Sequence, residues 1–298
     1  MNKLTGLIAA PHTPFNKDSK VNFDAIDQIA ALLIEQGVKG AYVCGTTGEG
    51  IHCSVEERKA IAERWVKASD NKLDLIIHTG ALSIVDSLEL TRHAETIDIL
   101  ATSAIGPCFF KPASVDDLVD YCAQIAAAAP SKGFYYYHSG MSGVNLDLEQ
   151  FLIKGEQKIP NLSGAKFNNM DLYEYQRALR ISGGKFDVPF GVDEFLPAGL
   201  AVGAVGAVGS TYNYAAPLYL KIIEAFNNGD QALVTKLMDR VIAIVRVLVE
   251  YGGVAAGKVA MQLHGIDAGD PRTPIRALTA AQKADVVAKM READFLDL

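Results

Sequence analysis

The sequence predicts an α/β protein, a (β/α)₈ barrel followed by a C-terminal helical extension. Eight short apolar runs alternate with amphipathic stretches up to about residue 210, which implies parallel strands joined by crossover helices. Beyond that point only helical periodicity continues. We therefore expect a single domain overall, in which residues 1–214 form the barrel with the active site and residues 215–298 pack on it.

The candidate strands are continuous apolar runs, as expected for parallel strands buried on both faces. They cover Leu4–Ala10, Gly40–Cys44, Leu73–Thr79, Ile99–Ile105, Gly133–His138, Leu162–Phe167, Phe186–Val192 and Ala204–Ser210. Capping boxes predict helix starts after Ser54, Asp147 and Asp171. The extension is predicted to contain helices over Pro217–Phe226, Gln231–Tyr251, Ala255–His264 and Thr279–Ala293. An open doubly wound sheet is the alternative, although no GxGxxG motif follows the first strand.

The composition is that of a soluble globular protein. Hydrophobic residues make up 49% and charged residues 21% of 298 residues, and the net charge is −7 without a cluster of lysines and arginines. This argues against nucleic acid and against a membrane surface as partners. No apolar run approaches the ~20 residues of a membrane helix, and the N-terminus does not resemble a signal peptide. Four cysteines without metal-binding spacing predict reduced thiols in a cytoplasmic protein, with neither a zinc site nor a disulfide framework.

Lys166 is the most unusual residue at the predicted C-terminal strand ends, where the functional groups of barrels lie. It interrupts the apolar run Leu162–Phe167. Burying an ammonium is costly, and a desolvated lysine is a nucleophile that forms Schiff bases with carbonyls. The alternative is a lysine at the rim, whose amine reaches solvent or pairs with an acid.

Three tyrosines end the preceding strand. Alternation places Tyr135 and Tyr137 on one face and Tyr136 on the other. A tyrosine beside an amine can transfer protons during cleavage of a carbon–carbon bond, whereas core packing is the alternative for any of the three. His138, a lone histidine at the strand end, is more typical of a structural role.

Two loops offer groups for a small anionic or hydroxylated ligand. The segment Gly45–Gly50 combines glycines and threonines that could hold a carboxylate, or it is only a turn. Asp193 and Glu194 could bind sugar hydroxyls or a metal, or Asp193 could cap a helix over Glu194–Leu200.

These segments together resemble the N-acetylneuraminate lyase / dihydrodipicolinate synthase family of class I aldolases, over nearly the whole chain. The resemblance rests on three motifs in order, Pro11-His12-Thr13-Pro14-Phe15, Gly45-Thr46-Thr47-Gly48-Glu49 and Gly164-Ala165-Lys166. Gly191–Glu194, Gly209–Asn213 and Asp267–Pro274 are similar to the lyase branch. The resemblance implies a (β/α)₈ barrel with C-terminal helices that forms a homotetramer and uses no metal or other cofactor.

The resemblance also implies roles for individual residues. Lys166 would form the Schiff base, Tyr137 would transfer the proton, and Thr46 and Thr47 would bind the substrate carboxylate. Contacts with the sugar portion would come from Asn168, Gly191, Asp193, Glu194 and Ser210. An ungapped alignment would select Tyr136, because the proline that usually follows is missing and one residue is deleted; Tyr137 is favoured because it directly precedes His138, as in animal-type lyases.

The implied reaction is the reversible cleavage of sialic acid (N-acetylneuraminate) to N-acetylmannosamine and pyruvate. One alternative is another pyruvate aldolase of the family, for 2-keto-3-deoxy sugar acids or dihydrodipicolinate synthesis. Dihydrodipicolinate synthases usually carry an arginine in the loop after the tyrosine. The loop Ser139–Gly143 contains none, which argues against that activity. Phe109 stands where many bacterial members have an interface tyrosine. A metal-dependent aldolase and a non-catalytic sugar-acid-binding protein are further alternatives.

Overall fold

The computed structural model describes residues 3–294 and residue 296. Seven parallel strands form one sheet in the order β6-β5-β4-β3-β2-β1-β7. The strands are β1 Gly6–Ala9, β2 Gly40–Val43, β3 Asp74–His78, β4 Ala101–Ile105, β5 Gly133–Ser139, β6 Leu162–Asn168 and β7 Gly206–Gly209. The helices are α1 Phe23–Glu35, α2 Val55–Ser69, α3 Ile84–Glu95, α4 Val115–Ala126, α5 Leu148–Lys158, α6 Leu172–Arg180, α7 Leu196–Val202, α8 Tyr212–Asn227, α9 Gln231–Tyr251, α10 Gly253–Ala260 and α11 Ala280–Glu292.

The predicted strand Phe186–Val192 is not a continuous strand. Isolated parallel bridges join this segment to β6 on one side and to β7 on the other. Pro189 has no N–H to donate to a strand ladder, which interrupts the regular pattern. Gly164 permits the close approach of β6, because a Cβ there would lie 1.7 Å from the carbonyl oxygen of Asp187. The bridges close the sheet, and the predicted (β/α)₈ barrel is confirmed.

Successive strand residues alternate between two apolar layers. One layer fills the barrel and includes Ile8, Tyr42, Ile76, Tyr135, Tyr137 and Val208. The other lies between the barrel and its helices and includes Leu7, Val43, Ile77, Tyr136 and Ala207. Every strand therefore places one set of side chains in the barrel, where the candidate active site lies.

Helix N-termini follow the predicted signals with one correction. Ser54 and Glu57 form a complete capping box at the start of α2. At α5 and α6 the side chains of Asp147 and Asp171 accept backbone N–H groups, but the reciprocal half of the predicted box is absent. At α6 the reason is that the Glu174 carboxylate instead accepts the N–H of Leu148, at 2.9 Å.

The helices after β7 pack on the barrel and on each other. Helix α8 contacts β1, and α9, α10 and α11 contact one another. The predicted helix Ala255–His264 is observed as α10 and a following 3₁₀ turn over Met261–His264. Because α8 starts at Tyr212, the proposed boundary at residue 214 falls within that helix, and the division stays a prediction. No helix in the described residues is long and apolar enough to span a bilayer.

Candidate active site

Lys166 lies inside the barrel at the C-terminal end of β6. It is 5% exposed, and its register partner on β5 is Tyr137. Its Nζ is 4.2 Å from the ring centroid of Tyr137 and 4.5 Å from that of Tyr42. The amine therefore faces two aromatic rings in a water-poor space, rather than the open rim that a solvent-seeking lysine would occupy.

The three consecutive tyrosines separate as alternation predicts. Tyr135 and Tyr137 belong to the layer inside the barrel, whereas Tyr136 faces the helices. Tyr135 donates its hydroxyl hydrogen bond to Asp187 at 2.7 Å. The Tyr136 ring packs on Phe151 with centroids 4.5 Å apart, and its hydroxyl is buried without a hydrogen-bond partner. Burial raises the pKa of Tyr136, which disfavours proton transfer by this phenol. Of the three consecutive tyrosines, Tyr137 is the one whose ring contacts the Lys166 amine.

Two further side chains, which were not predicted from the sequence, support the contact between Lys166 and Tyr137. The Tyr42 hydroxyl lies 2.6 Å from Ser103 Oγ, which itself donates to the Tyr135 carbonyl at 2.7 Å. Because the serine has only one hydrogen, Tyr42 is the donor, and its ring is fixed beneath Lys166. The tyrosine sits in an ordinary apolar strand, where an aromatic residue usually indicates only packing.

His78 is the second of these residues. Its ring lies edge-on to Tyr137, with centroids 6.2 Å apart, and its Nε2 accepts the Ile105 N–H at 3.0 Å. Burial, together with the charges of Arg58 and Lys166, lowers the pKa of His78 well below its ordinary value. The imidazole is therefore neutral with its proton on Nδ1, and it supports the tyrosine without acting as an acid.

The predicted carboxylate-binding loop follows β2. Thr46 is exposed and Thr47 is half-buried, while Thr13 from the β1 loop donates to the Gly48 carbonyl at 2.6 Å. Thr46 and Tyr137 line one cavity of about 330 Å³. The loop thus reaches the same cavity as the candidate catalytic tyrosine.

The residues predicted to contact a sugar lie at or just after the ends of β6, β7 and the segment between them. A Cβ on Gly191 would lie 3.0 Å from Asn168 Oδ1, so these two residues are in contact. Asp193 is buried, Glu194 is exposed and Ser210 is half-buried. Together they form a rim of carboxylate, amide and hydroxyl groups at the ends of β6 and β7 and of the segment between them.

Asp193 does not cap the predicted helix over Glu194–Leu200. Helix α7 starts at Leu196 with Phe195 as its N-cap. The Asp193 Oδ2 instead accepts the backbone N–H and the hydroxyl of Thr211, at 2.8 and 2.7 Å. The carboxylate therefore fastens the end of β7, and the helix-capping alternative is wrong.

His138 belongs to the outer layer. Its Nε2 lies 3.1 Å from Glu174 of α6, and its ring stacks on Phe167 at 5.5 Å. This environment supports the structural role predicted for a lone histidine. Within residues 3–294, no group of three or more histidine, cysteine, aspartate or glutamate side chains is arranged to hold a metal ion.

A lysine amine buried between tyrosine rings at the C-terminal face of a parallel (β/α)₈ barrel is an arrangement in which a Schiff base can form. The chain belongs to the dihydrodipicolinate synthetase family, whose model matches residues 3–293. N-acetylneuraminate lyase from Mus musculus is 41% identical over 300 residues, which cover 99% of this chain and 94% of the mouse protein.

Solved structures agree with this assignment. The N-acetylneuraminate lyase (sialic acid aldolase) of Aliivibrio salmonicida is 74% identical, with a TM-score of 0.99 over 99% of this chain and 98% of that one. The N-acetylneuraminate lyase of Proteus mirabilis is 71% identical, with a TM-score of 0.98 over 99% of this chain and 100% of that one. The chain is therefore similar, over its full described length, to two lyases and to an animal relative.

Proposed function

We propose that this chain is a class I aldolase that reversibly cleaves N-acetylneuraminate to N-acetylmannosamine and pyruvate. The observation that carries the proposal is the contact of the Lys166 amine with the Tyr137 ring inside the barrel, 4.2 Å from its centroid. The full-length similarity to N-acetylneuraminate lyases supports the substrate.

The mechanism begins when the neutral amine of Lys166 adds to the C2 ketone of the open-chain sugar acid. Uptake of a proton from solvent and loss of water give an iminium, which is the electron sink for the reaction. Tyr137, as phenolate, takes the proton of the C4 hydroxyl while the C3–C4 bond breaks and its electron pair enters the enamine. N-acetylmannosamine leaves as the aldehyde, the enamine is protonated at C3, and water hydrolyses the imine to release pyruvate and the free amine of Lys166.

The remaining predicted residues orient the substrate. Thr46 and Thr47 hold the carboxylate next to the amine, and such positioning contributes several kcal/mol to lowering the barrier, by the effective-molarity argument. The polar rim meets the hydroxylated tail through Asn168, Gly191, Asp193, Glu194 and Ser210. A carboxylate at each of two neighbouring positions matches a tail rich in hydroxyl donors.

The direct test is release of pyruvate from N-acetylneuraminate by the purified protein, followed with a coupled dehydrogenase. We expect an ordinary enzymatic rate that EDTA does not reduce. Faster cleavage of a 2-keto-3-deoxy sugar acid than of N-acetylneuraminate would indicate that the chain is a different aldolase of the family. Binding by calorimetry without any product would identify a non-catalytic sugar-acid-binding protein, and inhibition by EDTA would indicate a metal-dependent aldolase.

We expect Glu194→Gln to raise the KM for N-acetylneuraminate by about tenfold, because a hydrogen bond to a charged group is replaced by a weaker one. The KM for a short 2-oxo acid without the hydroxylated tail should not change. Steady-state kinetics with both substrates measure the difference. Glu89→Gln is the control, because Glu89 is an exposed carboxylate that pairs with Lys59. Equal changes for both substrates would assign Glu194 a structural role.

We also propose that the protein is a cytoplasmic homotetramer. Phe109 and Phe110 are 80% and 85% exposed, and with Leu82 they line an apolar cavity of about 260 Å³. Exposed apolar groups of this size are typical of an interface, and all four cysteines are free, as in a reducing compartment. Light scattering should give four chains per particle, and a monomeric mass would contradict the proposal.

A further inference from the structure

Glu49 and Lys258 form an ion pair that is fully buried. The carboxylate lies in the loop after β2 and the ammonium on α10, with Nζ and Oε1 2.7 Å apart and both side chains 0% exposed. The second carboxylate oxygen accepts the Arg272 N–H at 2.8 Å. A buried ion pair contributes little net stability compared with apolar residues of the same size. The pair therefore calls for a reason other than stability.

The loop that carries Glu49 is the one that presents Thr46 and Thr47. Two of its residues, Cys44 and Glu49, have left-handed backbone conformations with φ of 58° and 52°. Such conformations are unfavourable for residues other than glycine and persist only where surrounding contacts hold them. The contact at Glu49 comes from the C-terminal extension, so the conformation of the loop depends on α10 and on the segment after it.

The extension holds the neighbouring β1 loop as well. The Phe15 ring lies between two cations, with Lys258 Nζ and Arg272 Cζ each 4.2 Å from its centroid. The Arg272 guanidinium also donates to Glu57 at the start of α2, at 2.7 Å from Nη1. One cluster of extension residues thus fastens both loops at the mouth of the barrel.

We infer that Lys258 is a positioning residue: through Glu49 it fixes the Thr46–Thr47 loop in the conformation that binds the substrate carboxylate. The inference rests on the proposed function, because it takes Thr46 and Thr47 as the carboxylate-binding groups. It assigns the helical extension a part in substrate recognition, in addition to packing on the barrel.

The test compares pyruvate with methyl pyruvate, which keeps the ketone and lacks the charged carboxylate. Each is incubated briefly with the purified full-length protein and borohydride, and the half-saturating concentration for the adduct on Lys166 is measured by mass spectrometry. Lys258→Met should raise this concentration for pyruvate by about tenfold, the size expected for losing a hydrogen bond to a charged group. The value for methyl pyruvate should stay within about twofold.

Glu49→Gln separates positioning from simple attraction. The amide has the same size and loses the charge, so it weakens both the contact with Lys258 and the acceptor for the Arg272 N–H. Positioning predicts weaker capture of pyruvate. Attraction by the Lys258 charge alone predicts tighter capture, because that charge would no longer be neutralised, and this result would overturn the inference. The same variant provides the test if Lys258→Met does not fold.

Lys289→Met is the matched control, because this lysine also pairs with a carboxylate, Glu250 at 2.8 Å, and lies 5.0 Å from the ring centroid of Tyr251. Its partners belong to the extension and to neither loop, so neither half-saturating concentration should change. Parallel shifts for both ligands in the Lys258 and Glu49 variants, or no shift, would contradict the inference. If the unmodified protein forms no pyruvate adduct, the proposed function itself fails, which is a different result.

Discussion

Lys166→Met should abolish cleavage of N-acetylneuraminate, with a loss of roughly 10⁴- to 10⁶-fold in kcat, as for removal of other covalent nucleophiles. Methionine keeps an apolar stem of similar length between the rings of Tyr42 and Tyr137, so the barrel interior stays filled. No other group in that contact can form an iminium. The measurement is pyruvate release, combined with mass spectrometry after borohydride treatment in the presence of pyruvate.

Lys185→Met is the control for this variant. Lys185 is exposed, pairs with Glu156 and lies 5.0 Å from the ring centroid of Phe186, so it resembles Lys166 in having an aromatic neighbour but not in burial. It should retain full activity and the same adduct. Turnover above a trace in folded Lys166→Met protein, or an adduct at another lysine, would show that Lys166 is not the Schiff-base nucleophile.

The alternation of strands and helices and most element positions could be predicted because they depend on local patterns. Apolar runs and helical periodicity are properties of short windows, and they placed each observed strand and the helices of the extension. The segment Phe186–Val192 also contains such a run, but whether it forms regular ladders depends on how closely two other strands approach it. That geometry is set by Gly164 and Pro189 within the closed barrel, and a window of sequence does not contain it.

The candidate site likewise contains residues that could be predicted from local sequence and residues that could not. Lys166 was found because a charge in an apolar strand is a local anomaly, and its burial against Tyr137 agrees with that signal. Tyr42 and His78 gave no signal, because an aromatic residue and a histidine in buried strands are ordinary. Their importance comes from contacts between strands that are distant in the sequence.

Asp193 illustrates a different limit. An aspartate before an apolar helical pattern predicts an N-cap, yet its carboxylate binds Thr211 just after the neighbouring strand β7. The local rule failed because a tertiary partner offered two donors to the same oxygen. The ion pair of Glu49 and Lys258 could not be predicted either, because the sequence around each residue does not indicate the other.

Tyr137→Phe should lower kcat for cleavage by about 10²- to 10⁴-fold, the usual contribution of general acid–base catalysis. The phenylalanine ring keeps the contacts with Lys166, Tyr42 and His78, so only the proton-transferring hydroxyl is lost. Addition of the Lys166 amine to pyruvate should continue, and borohydride should still trap the adduct. The expected pattern is therefore a protein that forms the Schiff base but does not break the C3–C4 bond at an ordinary rate.

Tyr136→Phe is the control that the chain itself provides, one residue away on the same strand. Its hydroxyl is buried without a hydrogen-bond partner, and its ring packs on Phe151 outside the barrel. Removing an unsatisfied buried hydroxyl should leave kcat near that of the unmodified protein and should not lower the free energy of unfolding. If Tyr136→Phe lowered kcat more than Tyr137→Phe, Tyr136 would be the proton-transferring residue. That result would require β5 to shift its register by one residue, because the two side chains point to opposite faces of the sheet.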